Sequence, residues 1–249
     1  MRPSAPKARQ RHTNYMGSYL DSNFTSHIKK DTVHTIVELG SRDLHDAVQL
    51  YNTYTCPVYA FECNKDCLDV CHQTMNTMTA EQRTHIYLIE SAVSVQDGPV
   101  SFYPCDLSTY NNMGASSMLK LDFTNRDPSD TDYGRSNVQT TITVPGVRLD
   151  TFMVEKSLKC IDLLCMDLQG YELMALMSLG EQLKNVKYII TECQMKSTYK
   201  EGVDWLVLYE FLKTRGFKYV CSDKFRERMP ANSGKFCEFN ALFIRNDLL

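Results

Sequence analysis

Short runs of β-branched and aliphatic residues alternate with longer stretches whose apolar positions recur every three or four residues, from residue 33 to the C-terminus. That alternation marks strand–helix–strand units, which stack their strands into a mostly parallel sheet covered by helices. The segment 33–39 (VHTIVEL) reads as a buried strand that stops at Gly40. Over 43–54, Leu44, Ala47, Val48, Leu50 and Tyr51 fall near helical spacing and predict a helix. Strands are predicted at 58–61 and 86–89, with a helix from Asn64 to about Met75 between them. The stretch 91–143 then breaks the pattern with a Gly-Pro turn, an FYP segment and an Asn/Ser/Gly-rich run, and is predicted to be irregular. Long loops on a regular scaffold often carry function, so substrate-facing groups are expected there. Regular structure resumes with a strand near 138–144, a helix over 149–158, and strands at 161–166 and 186–191 flanking a helix from Tyr171. A helix over 203–214 ends before Gly216, and strands at 217–221 and 238–244 close the chain as an antiparallel pair at the sheet edge.

A length of 249 residues suits one α/β domain with a short extension, here a basic N-terminal extension over 1–30, partly disordered or helical, before a domain over 31–249. With 43% hydrophobic and 23% charged residues the chain can build an ordinary globular core. The net charge of -3 excludes a protein-wide positive field for nucleic acid. Arg2, Lys7, Arg9 and Arg11 precede the first acid, Asp21, and read as a solvated tail, with an RNA- or glycan-contacting arm as the alternative. No apolar run approaches the ~20 residues of a membrane span, and no secretory h-region opens the chain, which predicts a cytoplasmic protein. Its ten cysteines lack the regular spacing of a disulfide scaffold. Cys63, Cys67 and Cys71 share one helical face beside His72, but without a second ligand pair they read as packing residues, and no metal is assigned.

In an open parallel sheet, ligands bind beyond the carboxyl ends of the strands, where strand order reverses. The first strand ends in Glu38, Leu39, Gly40 and Ser41, and Gly40 permits a tight turn there. The sequence is not GxGxxG and does not cradle a pyrophosphate, which argues against a nicotinamide dehydrogenase. Glu62 closes the second strand roughly 20 residues later, where such folds place an acid on ribose hydroxyls.

Seven segments follow one another in a recognisable order: VELGSRDLHDA from Val37, VYAFECN from Val58, SAVSVQDGPVSFY from Ser91, GASSM from Gly114, VRLDTF from Val147, IDLLCMDLQGYEL from Ile161 and YIITEC from Tyr188. Together they resemble the FkbM family of S-adenosylmethionine-dependent methyltransferases. The resemblance implies a Rossmann-like class I fold, with a seven-stranded mostly parallel sheet, an antiparallel edge strand and helices on both faces. It also implies that S-adenosyl-L-methionine lies across the first three strand ends. By family position, Glu38, Gly40 and Ser41 surround the methionine and ribose, Glu62 takes the ribose, and Cys63, Asn64, Ser91 and Ala92 flank the adenine. Many members carry Lys and Glu where this chain has Cys165 and Gln169, so a mechanism needing either charge is in doubt.

Methyl transfer needs the acceptor held in line and relieved of its proton. Asp167 is the expected base, with a helix-capping role as the structural alternative. Glu172 and Glu192 are expected to assist it, and an Asp167–Glu192 pair holding a divalent cation is a further reading that lacks a third ligand. Tyr110, Asn111, Asn112, Ser116, Ser117 and Tyr199 are expected to face the acceptor. The expected activity is O-methylation of a hydroxyl, with a sugar of a glycan or glycosylated metabolite as acceptor. RNA ribose 2′-O-methylation and a non-catalytic cofactor-binding scaffold are the alternatives, and oligomeric state is left open.

Overall fold

The computed structural model describes residues 18–108, 113–122, 139–223 and 238–249. Seven strands form one sheet: β1 (Ile36–Leu39), β2 (Val58–Glu62), β3 (Ile86–Glu90), β7 (Ile161–Met166), β8 (Val186–Gln194), β9 (Phe217–Ser222) and β10 (Glu238–Arg245), ordered β3-β2-β1-β7-β8-β10-β9. Strands β1, β2, β3, β7 and β8 pair in parallel. β10 pairs antiparallel with β8 and with β9, so the expected antiparallel pair closes this edge, with the reversed strand just inside the outermost one.

Neighbouring residues on the central strands bury into opposite core layers, as strands covered on both faces must. Val37, Leu164, Met166, Ile189 and Phe243 join α5 (Leu149–Glu155), α6 (Glu172–Ser178) and α7 (Trp205–Thr214) on one face. Ile36, Leu163, Cys165, Ile190 and Leu242 join α2 (His45–Tyr54) and α3 (Lys65–Thr77) on the other. Cys67 and Cys71 of α3 are buried, in keeping with packing roles. Tyr19, Phe24 and Ile28 belong to that second layer, with Phe24 on the short helix α1 (Ser22–Thr25), so the packed unit begins ahead of residue 31.

The irregular reading of 91–143 is corrected over part of its length. β4 (Ala92–Val93), β5 (Gly98–Phe102) and β6 (Ile142–Val147) form a second sheet in the order β4-β6-β5. Val100 and Phe102 alternate inward with Pro99 and Ser101 outward, and the proline is tolerated because β5 lies at an edge. The strand expected at 138–144 lies instead at Ile142–Val147, and a short helix α4 (Ala80–His85) precedes β3.

Candidate active site

Gly40 opens the turn after β1 at φ +85°, and a Cβ there would lie 2.0 Å from the Asp167 carbonyl oxygen. The glycine is therefore required by the close approach of the backbone that follows β7. Arg42 (φ 54°) and Leu44 (φ 62°) also adopt left-handed conformations in this turn. Such strain persists only when the surroundings fix it, and it gathers at ligand sites. The turn sits between β1 and β7, where strand order reverses from β3-β2-β1 to β7-β8, the place where open α/β sheets bind ligands.

A cavity of about 590 Å³ opens at this rim. It is lined by Gly40 and Ser41 after β1, by Glu62, Cys63 and Asn64 after β2, by Ser91 and Ala92 after β3, and by Asp167 and Gln169 after β7. Phe102, Ser116 and Ser117 wall it from the second sheet and the loop beside it. Glu62 accepts three backbone N–H bonds: Arg42 at 2.8 Å on Oε2, and Cys63 at 2.8 Å and Asn64 at 2.7 Å on Oε1. Burial raises its pKa while those donors pull it down, and Oε2 keeps an acceptor site for a ligand hydroxyl.

Asp167 is walled by protein on its sides yet open to the cavity. The Gln169 amide donates to Asp167 Oδ1 at 2.7 Å and to Glu192 Oε2 at 3.1 Å. Tyr199 Oη donates back to Gln169 Oε1 at 2.8 Å. Burial raises the pKa of both carboxyls, and that of Glu192 goes well above the usual range because the Asp167 charge adds to burial. Of the two, Glu192 is pushed the further toward its protonated form.

Several expected site residues stand behind the wall. Glu38, 1% exposed, accepts a bond from Ser41 Oγ at 2.8 Å and does not line the cavity. As Ile36 and Glu38 share a face of β1, its side chain points toward α2 and not to the rim. Burial pushes the Glu38 carboxyl up to about 8. Glu172 is buried under the Leu168 and Gly170 amides, at 2.8 and 3.3 Å, with its pKa raised to about 7, chiefly by burial. Tyr199 is 3% exposed and braces Gln169 from behind. Ser116 and Ser117 do line the cavity, but their hydroxyls are engaged: Ser116 Oγ accepts from Asn64 Nδ2 and Cys105 N, and Ser117 Oγ donates to the Gln169 carbonyl. Tyr110, Asn111 and Asn112 lie outside the described residues, as does the basic segment from Arg2 to Arg11. Among the described residues no group of three His, Cys, Asp or Glu side chains could hold a metal ion, and no helix is long and apolar enough to cross a membrane.

Reasoning from sequence missed Tyr19, Asp46, Phe61, Phe102, Glu238 and Asn240, which also line the cavity. Asp46 stands four residues after Arg42 on the first turn of α2, a position readable once the turn was placed. Tyr19 and the β10 residues come from distant chain and carried no local signal.

A sheet in this order, with a buried acid at the second strand end and a carboxylate at the strand switch, has the class I methyltransferase fold. The methyltransferase FkbM domain matches residues 37–219, and the chain belongs to that family of S-adenosylmethionine-dependent methyltransferases. A crystal structure of methyltransferase FkbM from Methylobacillus flagellatus KT is similar at 12% identity with a TM-score of 0.50, covering 85% of this chain and 43% of that one. An rRNA methylase from Streptococcus thermophilus is similar at 12% identity with a TM-score of 0.44, covering 86% of this chain and 88% of that one. The chain therefore spans less than half of the first of these, and the likeness is one of fold. No curated protein matches the sequence.

Proposed function

We propose that this domain transfers a methyl group from S-adenosyl-L-methionine to a hydroxyl of a polyhydroxylated acceptor, a sugar in a glycan or glycosylated metabolite. The observation that carries this reading is the cavity-facing carboxylate of Asp167, held by the Gln169 amide at the switch point of the sheet. The cavity fits the cofactor in size, within the ~300–1,000 Å³ of small-molecule sites, and in chemistry through the free acceptor capacity of Glu62. S-adenosylmethionine supplies, when bound, a methyl group already activated on a sulfonium.

What remains for the protein is to orient the acceptor oxygen and remove its proton. Asp167 is the group for that task, because its carboxyl opens to the cavity, the Gln169 amide fixes it, and burial makes it a stronger base than a solvated carboxylate. Gln169 fixes the carboxylate in orientation without adding a second negative charge, which is how Gln here serves where many family members carry Glu. Past Asp167, Asn240 and Glu238 offer the amide and carboxylate groups that suit a ring bearing several hydroxyls.

The test is label transfer from methyl-labelled cofactor to a glycan panel. Asp167→Asn is expected to keep cofactor affinity within about threefold and to lose roughly 10²- to 10⁴-fold in turnover, the range for a positioned base. Glu62→Ala is expected to weaken cofactor binding by about 10-fold or more, since charged hydrogen bonds contribute ~1.5–3 kcal/mol. Equal turnover in Asp167→Asn and the parent refutes the assignment.

A further inference from the structure

The turn Ser18–Leu20 precedes the family match at 37–219, yet its Tyr19 lines the cavity. The residue is 3% exposed and packed in the core layer of α2, against which its turn lies. No hydrogen bond ties its hydroxyl to another described residue, and the acids around it are Asp167, Glu38 and Asp46, with the Cys165 thiol close by. Asp46, half-buried on the first turn of α2, lines the same corner, and no hydrogen bond engages its carboxylate among the described residues. The charges facing Asp46 are Asp43 and Asp167 on one side of the balance and the exposed Arg42 and His45 on the other.

Two oxygen groups, a phenol and a carboxylate, thus face the cavity without hydrogen-bond partners among the described residues, in a corner where acids outnumber cations. Oxygen atoms that open to a cavity with no hydrogen bond from a described residue are free to accept from a ligand. The corner lies on the β1–β7 side of the rim, on the far side of Glu62 from Ser91 and Ala92. A nucleoside whose ribose meets Glu62 and whose base reaches toward Ser91 has its remaining arm here.

We propose that Tyr19 and Asp46 bind the α-ammonium of the amino-acid arm of the cofactor, which makes the N-terminal segment a working part of the cofactor site. The phenol oxygen accepts one ammonium hydrogen and the Asp46 carboxylate another, while the anionic corner favours the cation over the α-carboxylate. The inference rests on the reading that this cavity takes S-adenosylmethionine.

Calorimetric titration of the full chain with three neutral-sulfur probes tests it. S-adenosylhomocysteine carries the whole arm, its decarboxylated form keeps only the ammonium, and 5′-methylthioadenosine has neither group. Tyr19→Phe and Asp46→Asn are each expected to weaken the first two by roughly 10-fold, the scale of one charge-assisted hydrogen bond. Binding of 5′-methylthioadenosine should change less than twofold in both variants. Because each variant is compared with itself across ligands, a partly unfolded preparation does not produce this pattern. Equal weakening of all three probes by Tyr19→Phe assigns the ring to packing alone and overturns the proposal, as does a penalty that disappears when the carboxylate is removed. A parent chain that binds none of the probes overturns the cofactor reading itself, whereas a parent that binds all three with unaffected variants overturns only the roles of Tyr19 and Asp46.

Discussion

Glu38 and Glu172 are acids whose protons the fold retains, with pKa values raised from 4.5 to about 8 and about 7. The folded state binds these protons more tightly than the unfolded chain, so their stabilisation is complete below pH 4.5 and is lost as pH rises through the folded values. The carboxylates with depressed pKa, Asp150, Asp162 and Asp204, are ionised in both states above about pH 5 and add no slope there. The ligand-free protein is therefore expected to melt at progressively lower temperature between pH 5 and pH 8, each buried acid contributing at most ~1.4 kcal/mol per pH unit. Glu38→Gln keeps an acceptor for Ser41 Oγ and removes the titration, so its melting curve series should be flatter across that range. A variant with the parent's full pH slope removes Glu38 from this account. The sequence placed Glu38 at a strand end but not its direction, because the period of two that turns it toward α2 is a matter of which face the neighbouring layer occupies. The rim positions of Glu62 and Asp167 were legible since a strand end lies there whichever helix covers the sheet. Gln169 was legible as a departure from the family, but its bridge between Asp167 and Glu192 depends on β8 lying beside β7, which no local pattern encodes.

Among the elements, the buried parallel strands were readable because their apolar runs are bounded by Gly, Asn or acid positions. The helix Ala80–His85 was overlooked, although Thr79 and Gln82 form a complete capping box that marks its start. The second sheet was hidden by Pro99, Pro145 and Gly146, residues that argue against strands unless an edge or a tight pairing accommodates them. The β1 turn offers a test of which glycine the architecture depends on. Gly98 and Gly40 both have positive φ, +102° and +85°, but a Cβ at Gly98 meets nothing within 4 Å whereas one at Gly40 strikes the Asp167 carbonyl at 2.0 Å. Gly98→Ala should cost only the conformational penalty, about 1 kcal/mol. Gly40→Ala must also push β1 from β7, so it should lower the melting temperature clearly further and weaken cofactor binding with it. Equal melting temperatures for the two variants would show that the β1–β7 contact is not what demands the glycine.

At the scale of the molecule, the cavity lies between the rim of the seven-stranded sheet and the small sheet with its adjoining loop. Gly40, Glu62 and Asp167 come from the first, Phe102, Met113 and Met118 from the second. Side-chain hydrogen bonds tie the two beside the cavity. Asn64 Nδ2 donates to Ser116 Oγ at 3.2 Å, and Ser117 Oγ donates to the Gln169 carbonyl at 2.9 Å. A ligand that fills the cleft adds contacts to both bodies at once and binds only where they stand together, so its binding energy becomes folding energy. S-adenosylhomocysteine at 100 times its dissociation constant should stabilise the protein by ~2.7 kcal/mol, which for a domain of this size corresponds to a rise in melting temperature of about 5–10 °C. Backbone amides over 113–118 should exchange more slowly with solvent in the same experiment, because local opening of that segment then requires release of the ligand. A normal thermal shift with unchanged exchange over 113–118 would place the ligand on the sheet rim alone and leave the small sheet without a part in binding.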